Sequence, residues 1–286
     1  MGKIKISDYK IIETKGKVYA ASDFHGCADP ALKILDYIGP DDILIYLGDA
    51  IDRGPESKKV LDTLLSDSRV IFLKGNHEDM MANAIPQYID GYGISFNWML
   101  NGGNETFKEF ECLSDQTLME YVGKIKHMPT EVTYFSSKGN RIILEHAGYT
   151  PFSTPYRSHR RHDPLWDREH FYDEWDGGWG YKDKFEIENT YLVHGHSPVQ
   201  YLRFRYGYNG MPEKMTKKDF IAKRQFLENI ILDGEEIIQP EIIRYCDGHK
   251  FDIDMCTVAS ERAALLNLDT FETIYFDNEK IRKGVI

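Results

Sequence analysis

Three short apolar runs near the start of the chain each end in residues that can do chemistry. KVYAA (17–21) runs into SDFHG, DDILIYL (41–47) into GDAIDRG, and RVIFLK (69–74) into GNHE. Apolar runs this short, rich in Val, Ile and Tyr, suit strands buried on both faces. Amphipathic stretches separate them. In DPALKILDYIG, Leu32, Leu35 and Ile38 recur at helical spacing, with Asp29 placed as an N-cap and Gly39 as a stop. In PESKKVLDTLL, Pro55 suits a first helical turn and Val60, Leu61, Leu64 and Leu65 form one stripe. The first 80 residues thus read as strand–helix–strand–helix–strand with parallel connections.

Two later runs repeat the device: RIILE (141–145) delivers His146, and TYLV (190–193) delivers His194, Gly195 and His196. Open α/β sheets place ligand sites beyond the carboxyl ends of their strands, which is where these polar residues fall. The stretch 78–140 reads as mostly helical with a loop at NGGNET (101–106). Residues 150–190, rich in Trp and Tyr, and 200–240, with a Lys-rich segment, read as surface excursions. Alternating patterns in 241–277, such as EIIRYC and FETIYF, suggest a closing antiparallel sheet. No repeat or linker divides the chain, so one domain over 1–286 is expected.

Residue chemistry narrows the site. Imidazole, carboxylate and amide oxygens together suit divalent ions of the Mn, Fe and Zn type. Two such ions about 3.5–4 Å apart can activate water and neutralise phosphate oxygens. Asp23 and His25 end the first strand, Asp49 the second, Asn76 the third, His146 the fourth and His196 the fifth. A net charge of −11 argues against a broad basic surface, so no binding to a nucleic-acid duplex is expected. The N-terminus lacks the apolar core of a signal peptide and the myristoylation pattern, and no run is long enough to span a bilayer. Cys27, Cys112, Cys246 and Cys256 form no CxxC pair, so reduced thiols in a soluble cytoplasmic protein are expected.

Taken together, DFHG, GDAIDRG, GNHE, the HAG around His146 and the GHSP around His196 resemble the calcineurin-like metallophosphoesterases. Within them the pattern is similar to the PPP-type serine/threonine phosphatases and their bacterial relatives, which include dinucleoside tetraphosphate hydrolases. The resemblance implies an α/β sandwich of two mixed β-sheets flanked by helices, with the site at the C-terminal ends of the strands. It also implies two divalent metal ions, Mn first and Fe or Zn as alternatives, and hydrolysis by metal-activated water. Asp23, His25 and Asp49 would hold one ion, with Asp49 bridging, and Asn76, His146 and His196 would complete the other. His77 would be the general acid, Asp52 its orienting carboxylate, and Arg53 a phosphate clamp. DPLWDREHF (163–171) resembles a bacterial pattern that nominates Arg168 as a second phosphate-holding arginine.

Departures are local. Ser22 stands where the family has Gly, and His146-Ala147-Gly148 replaces the usual HGG. Ser197-Pro198 follows His196 where nuclease-like branches carry another histidine, which favours the PPP branch. Plainer readings compete elsewhere. His194 reads as a packing neighbour of the ligand His196, and NGGNET as a turn. HRRH (159–162) reads as a solvated loop or else a basic rim; Trp175, Trp179 and Tyr181 as loop core or else a stacking platform; Cys27 as a small filler or else a redox-sensitive thiol. The expected substrate is a phosphorylated protein or small phosphomonoester. A dinucleoside polyphosphate is the alternative, and a non-catalytic phosphate sensor the alternative of another class.

Overall fold

A computed structural model describes residues 2–7, 10–148, 163–168, 189–199, 240–245 and 248–277. HRRH, Trp175, Trp179, Tyr181, Cys246 and nearly all of the two excursions lie outside the described residues.

Strands β1 (Gly2–Ser7) and β2 (Lys10–Thr14) lead into β3 (Val18–Ala21), helix α1 (Ala28–Tyr37), β4 (Ile43–Tyr46), α2 (Ser57–Ser66), β5 (Val70–Phe72) and α3 (Asn76–Ile89). A helical arch follows: α4 (Phe96–Trp98), a π-helical turn (Met99–Gly103) and α5 (Asn104–Phe110), then α6 (Asp115–Lys126). The remaining strands are β6 (Glu131–Phe135), β7 (Arg141–Glu145), β8 (Thr190–His194), β9 (Ile243–Tyr245), β10 (Lys250–Asp252), β11 (Arg262–Asn267) and β12 (Thr273–Asp277).

The strands form a five-stranded sheet, β12-β11-β3-β4-β5, and a seven-stranded sheet, β2-β1-β6-β7-β8-β10-β9. Strands β3, β4 and β5 run parallel, as do β7, β8 and β10, so both sheets are mixed. Alternation along a strand sends successive side chains to opposite faces. Val18, Ala20, Ile45 and Leu47 accordingly meet Ile4, Val132, Tyr134, Leu144, Val193 and Phe251 between the two sheets. Tyr19, Ala21, Leu44 and Tyr46 face the other way and pack under α1, α2 and α3. This two-sheet sandwich with flanking helices is the architecture the motifs imply.

Several expectations need refinement or correction. The 78–140 stretch is mostly helical, as expected, but not to its end: EVTYF, with Val, Thr, Tyr and Phe, forms β6 and pairs antiparallel with β7. The segment 241–277 does not close one sheet; β9 and β10 join the seven-stranded sheet, and β11 and β12 the other. Helix α1 starts one residue before Asp29, whose carboxylate sits in the first turn while Cys27 occupies the cap, and Pro55 precedes α2, which begins at Ser57. NGG is not an open loop but part of the arch, with Gly102 at φ 97°, a left-handed conformation that glycine adopts without penalty. A Cβ on Gly102 would lie 2.6 Å from Arg53 Cγ, so the arch presses directly on the GDAIDRG loop.

Cys27 is buried, and burial pushes its thiol up to about 12. The thiolate is the reactive form, so the filler reading stands. Cys27, Cys112 and Cys256 are all free thiols. No helix among the described residues is long and apolar enough to cross a membrane.

Candidate metal centre

The loops after β3 and β4 are zipped together by backbone. Asp23 N–H donates to Gly48 O (3.1 Å), His25 N–H to Asp49 O (3.0 Å) and Gly26 N–H to Ala50 O (2.8 Å). Asp23, His25, Asp49, Asp52, Arg53 and His196 all carry positive φ, between 45° and 73°. Left-handed backbone at a non-glycine residue costs of the order of 1–3 kcal/mol and persists only where the surroundings over-determine it. Six such residues in one place turn their side chains toward a common centre.

Asp49 stands at that centre. His146 Nε2 lies 3.4 Å from Asp49 Oδ1, while His25 Nε2 and His77 Nε2 lie 3.7 and 3.8 Å from Asp49 Oδ2. Two sets of donor atoms result, His25–Asp49–His77 and Asp49–His146–His196, each with members within 4.8 Å of one another. Asn76 Oδ1 is 2.9 Å from His146 Nε2 and joins the second set. Asp23 falls outside both: its carboxylate accepts the His196 backbone N–H at 3.1 Å. His77 occupies a ligand-like place that the motif reading gave to a proton donor.

The imidazoles are pre-oriented. His25 Nδ1 is 2.9 Å from Ile51 O and His146 Nδ1 2.8 Å from Leu47 O, contacts that hold a proton on Nδ1 and leave Nε2 facing inward, where the neutral ring would offer its lone pair. Metal-ligating histidines are characteristically held this way. His196 Nε2 is buried and has no hydrogen-bond partner among the described residues. A buried orphan of that kind is costly unless something else fills it. With carboxylates and an amide oxygen alongside, this donor set fits divalent ions of the Mn, Fe or Zn type. His194 points elsewhere, its Nε2 lying 2.6 Å from the Tyr245 hydroxyl.

Charge balance in the protein alone is tight. Burial would raise the Asp49 carboxyl, but His146, His77 and His25 outweigh it and hold it well below the usual range. Burial, with Asp254 nearby, pushes Asp23 well above that range. For His146, burial lowers the pKa, but Asp49 outweighs it, with Asp23 and Glu78 adding, and the group is pushed up to about 9. Burial and Arg53 hold His25 well below its ordinary value, and burial with Arg168 does the same to His196.

Beside the centre, His77 Nδ1 donates to Asp52 Oδ2 at 2.6 Å. Arg53 Nη2 lies 2.8 Å from His77 Nε2, and its Nη1 reaches His25 Nε2. Arg168 Nη2 donates to the His196 carbonyl at 3.1 Å. All ten residues singled out from the sequence therefore converge on one locality.

The sequence profile described as calcineurin-like phosphoesterase matches residues 16–228. The chain belongs to that family. It is a metallophosphoesterase, a hydrolase of phosphoester bonds. Serine/threonine-protein phosphatase 1 of Salmonella typhimurium is 30% identical over 192 residues, 64% of this chain and 84% of that protein. The asymmetrical bis(5'-nucleosyl)-tetraphosphatase of Halalkalibacterium halodurans is 26% identical over 141 residues, 44% of this chain and 54% of that protein, so the match spans about half of that relative. A crystal structure provisionally described as a diadenosine tetraphosphatase shares the fold, with TM-score 0.52 at 14% identity, covering 92% of this chain and 93% of that one.

Several residues of this metallophosphoesterase site escaped the sequence reading. Glu78, the last letter of GNHE, is fully buried: Oε2 accepts the N–H of Asp49 (2.8 Å) and Gly75 (2.9 Å), and Oε1 that of Ala50 (2.8 Å). Its place inside a quoted motif was the available signal. Gly195 has no room for a side chain, since a Cβ would meet Asp23 Oδ2 at 2.1 Å and Ser22 Oγ at 2.3 Å. Trp98 and Thr106 both hydrogen-bond to Asp52; Trp98 carried no signal beyond lying near NGG, and Thr106 none beyond its place at the end of NGGNET.

Proposed function

We propose that this metallophosphoesterase hydrolyses phosphate monoesters in the manner of a serine/threonine phosphatase. The observation that carries the reading is the His77–Asp52 pair at 2.6 Å beside the ligand cluster. An alkyl monoester leaves as a strongly basic alkoxide, and a positioned imidazole that protonates it contributes roughly 10²–10⁴-fold. With its Nδ1 proton held by Asp52, His77 would carry the transferred proton on Nε2, the atom that Arg53 Nη2 contacts here and would have to release. Arg53 and Arg168 hold the non-bridging phosphate oxygens, a task for which the guanidinium fork is suited.

Asp23, His25 and Asp49 are proposed to hold one ion, and Asp49, Asn76, His146 and His196 the other, with Mn the first choice. When bound, the ions supply a nucleophile at neutral pH and neutralise phosphate charge. Arg53 Nη1 contacts His25 Nε2, the atom His25 would offer to an ion, so with the site loaded Arg53 would give up that contact and could turn to phosphate. Retention of His77, Asp52 and Arg53 supports a catalyst over a phosphate sensor. The tetraphosphatase relative favours a second reading, cleavage of dinucleoside polyphosphates by the same site.

The test is metal-free protein reconstituted with Mn²⁺ and assayed on p-nitrophenyl phosphate, a phosphothreonine peptide and diadenosine tetraphosphate. Turnover of the first two above the third supports the monoester reading. Preference for diadenosine tetraphosphate replaces it with the second, and metal binding without any turnover sinks both.

A further inference from the structure

Asp52 is held by far more than its histidine. Its Oδ2 accepts the Trp98 indole N–H at 2.8 Å as well as His77 Nδ1–H. Its Oδ1 accepts the Thr106 hydroxyl at 2.6 Å, and its own N–H donates back to Thr106 Oγ1 at 2.9 Å. Trp98 and Thr106 are both fully buried. Both belong to the arch, whose Gly102 carbonyl also accepts the Arg53 N–H at 3.0 Å. Packing locks the arch in turn: a Cβ on Gly103 would lie 2.6 Å from the Trp98 ring, so glycine there seats the indole.

We infer that Trp98 and Thr106 are positioning residues that clamp the Asp52 carboxylate and thereby aim His77 at the leaving-group oxygen. A carboxylate has two oxygens, and here each accepts a donor from the arch in addition to what the histidine takes. The plane of Asp52 is fixed by these bonds, and the plane of Asp52 sets the direction of the His77 ring. Metal ligation needs none of this, because Asp49, Asn76, His146 and His196 are set by strand ends and by α3. The arch therefore governs the proton-transfer half of the site, and with it how well a poor leaving group is expelled. This inference rests on the proposed role of His77 as proton donor.

Leaving-group dependence tests it. Trp98→Phe keeps the apolar ring and removes the N–H; Thr106→Val keeps the shape and removes the hydroxyl, and Thr106→Ser restores it. In the Mn²⁺-reconstituted protein, kcat is compared for p-nitrophenyl phosphate, whose leaving group needs little protonation, and for an alkyl phosphate. Both rates fall in Trp98→Phe and Thr106→Val, the alkyl one more, so that the aryl-to-alkyl ratio rises about tenfold, part of the roughly 10²–10⁴-fold a positioned acid supplies. Metal content by elemental analysis stays at the wild-type level, and Thr106→Ser returns the ratio toward wild type. Equal losses on both esters, or loss of metal, would assign Trp98 and Thr106 a merely structural role and overturn the inference. Should His77→Asn itself leave the ratio unchanged, the proton-donor reading fails first. A raised ratio in His77→Asn with unchanged ratios in both arch variants overturns the clamp alone.

Discussion

The two halves of the site are built by different means. The half proposed to hold metal hangs from strand ends: β3 delivers Asp23 and His25, β4 Asp49, β7 His146 and β8 His196, and the pairing of two parallel ladders sets their spacing. The half proposed to donate the proton is assembled by side-chain hydrogen bonds between segments distant in sequence, His77 to Asp52 and Asp52 to Trp98 and Thr106. Sheet register tolerates no small adjustment, because a one-residue slip turns every side chain over. A hydrogen-bonded clamp fails one bond at a time. In the proposed mechanism the first half sets whether metals bind, and the second how well they are used.

Substitutions separate the halves. Asp49→Asn removes the group shared by both donor sets, and activity and Mn²⁺ binding are expected to collapse together, by more than the roughly 10–100-fold that losing an outer partner costs. Full activity in that variant would sink the metal assignment. His77→Asn is expected to keep its metals, measured by elemental analysis, and to lose roughly 10²–10⁴-fold in kcat on an alkyl phosphate. Loss of metal there would place His77 among the ligands, as its 3.8 Å approach to Asp49 allows. Glu78→Gln is milder. An amide offers one acceptor oxygen where Glu78 uses two to hold three N–H groups, so its NH₂ must face a donor. Mn²⁺ affinity measured by titration should weaken roughly 10–100-fold with the fold intact; unchanged affinity would show that the Asp49 loop holds itself.

The same division decides what the sequence reveals. The candidate ligands at strand ends are legible because an apolar run followed by Asp, His or Asn is a local pattern, and the structure gathers all six in one locality, with Asp23 outside the two donor sets. The βαβ order is legible for the same reason. Trp98 and Thr106 are not, since their role depends on a contact across 46 and 54 residues that no local period announces. NGG reads as a turn by composition, yet tertiary packing against Arg53 makes it part of a helical arch. Strand β6 was hidden behind the helical pattern before it, although its Val, Thr, Tyr and Phe content marks it. The shift of the α1 cap from Asp29 to Cys27 is a two-residue error of the kind boundaries invite.

Electrostatics give the smallest effect and the sharpest separation of the ligand half from its metals. In metal-free protein the Asp49 carboxylate, with Asp23 and Glu78 behind it, pushes His146 up to about 9 from an ordinary 6.5. A group whose folded-state pKa is raised contributes stability that is fully present below its unfolded value and lost as pH rises through the folded one. The His146 contribution is therefore complete below pH 6.5 and gone above about 9. Glu78, pushed up to about 7, and Asp254, pushed up to about 6, finish their decline earlier, while Asp23 and Asp252, raised by burial, act in the same direction. Burial holds His25, His194 and His196 below 6.5, so they weaken the fold only on the acid side. The melting temperature of metal-free protein should thus fall between pH 7 and 9 by a few degrees, an order set by the roughly 2–4 °C that 1 kcal/mol moves a domain of this size. His146→Gln should flatten that slope. Saturating Mn²⁺ should reverse it, because ligation needs the neutral imidazole and so strengthens as the proton leaves. A metal-free melting temperature that rises over that window would mean that the Asp49–His146 charge pair does not form.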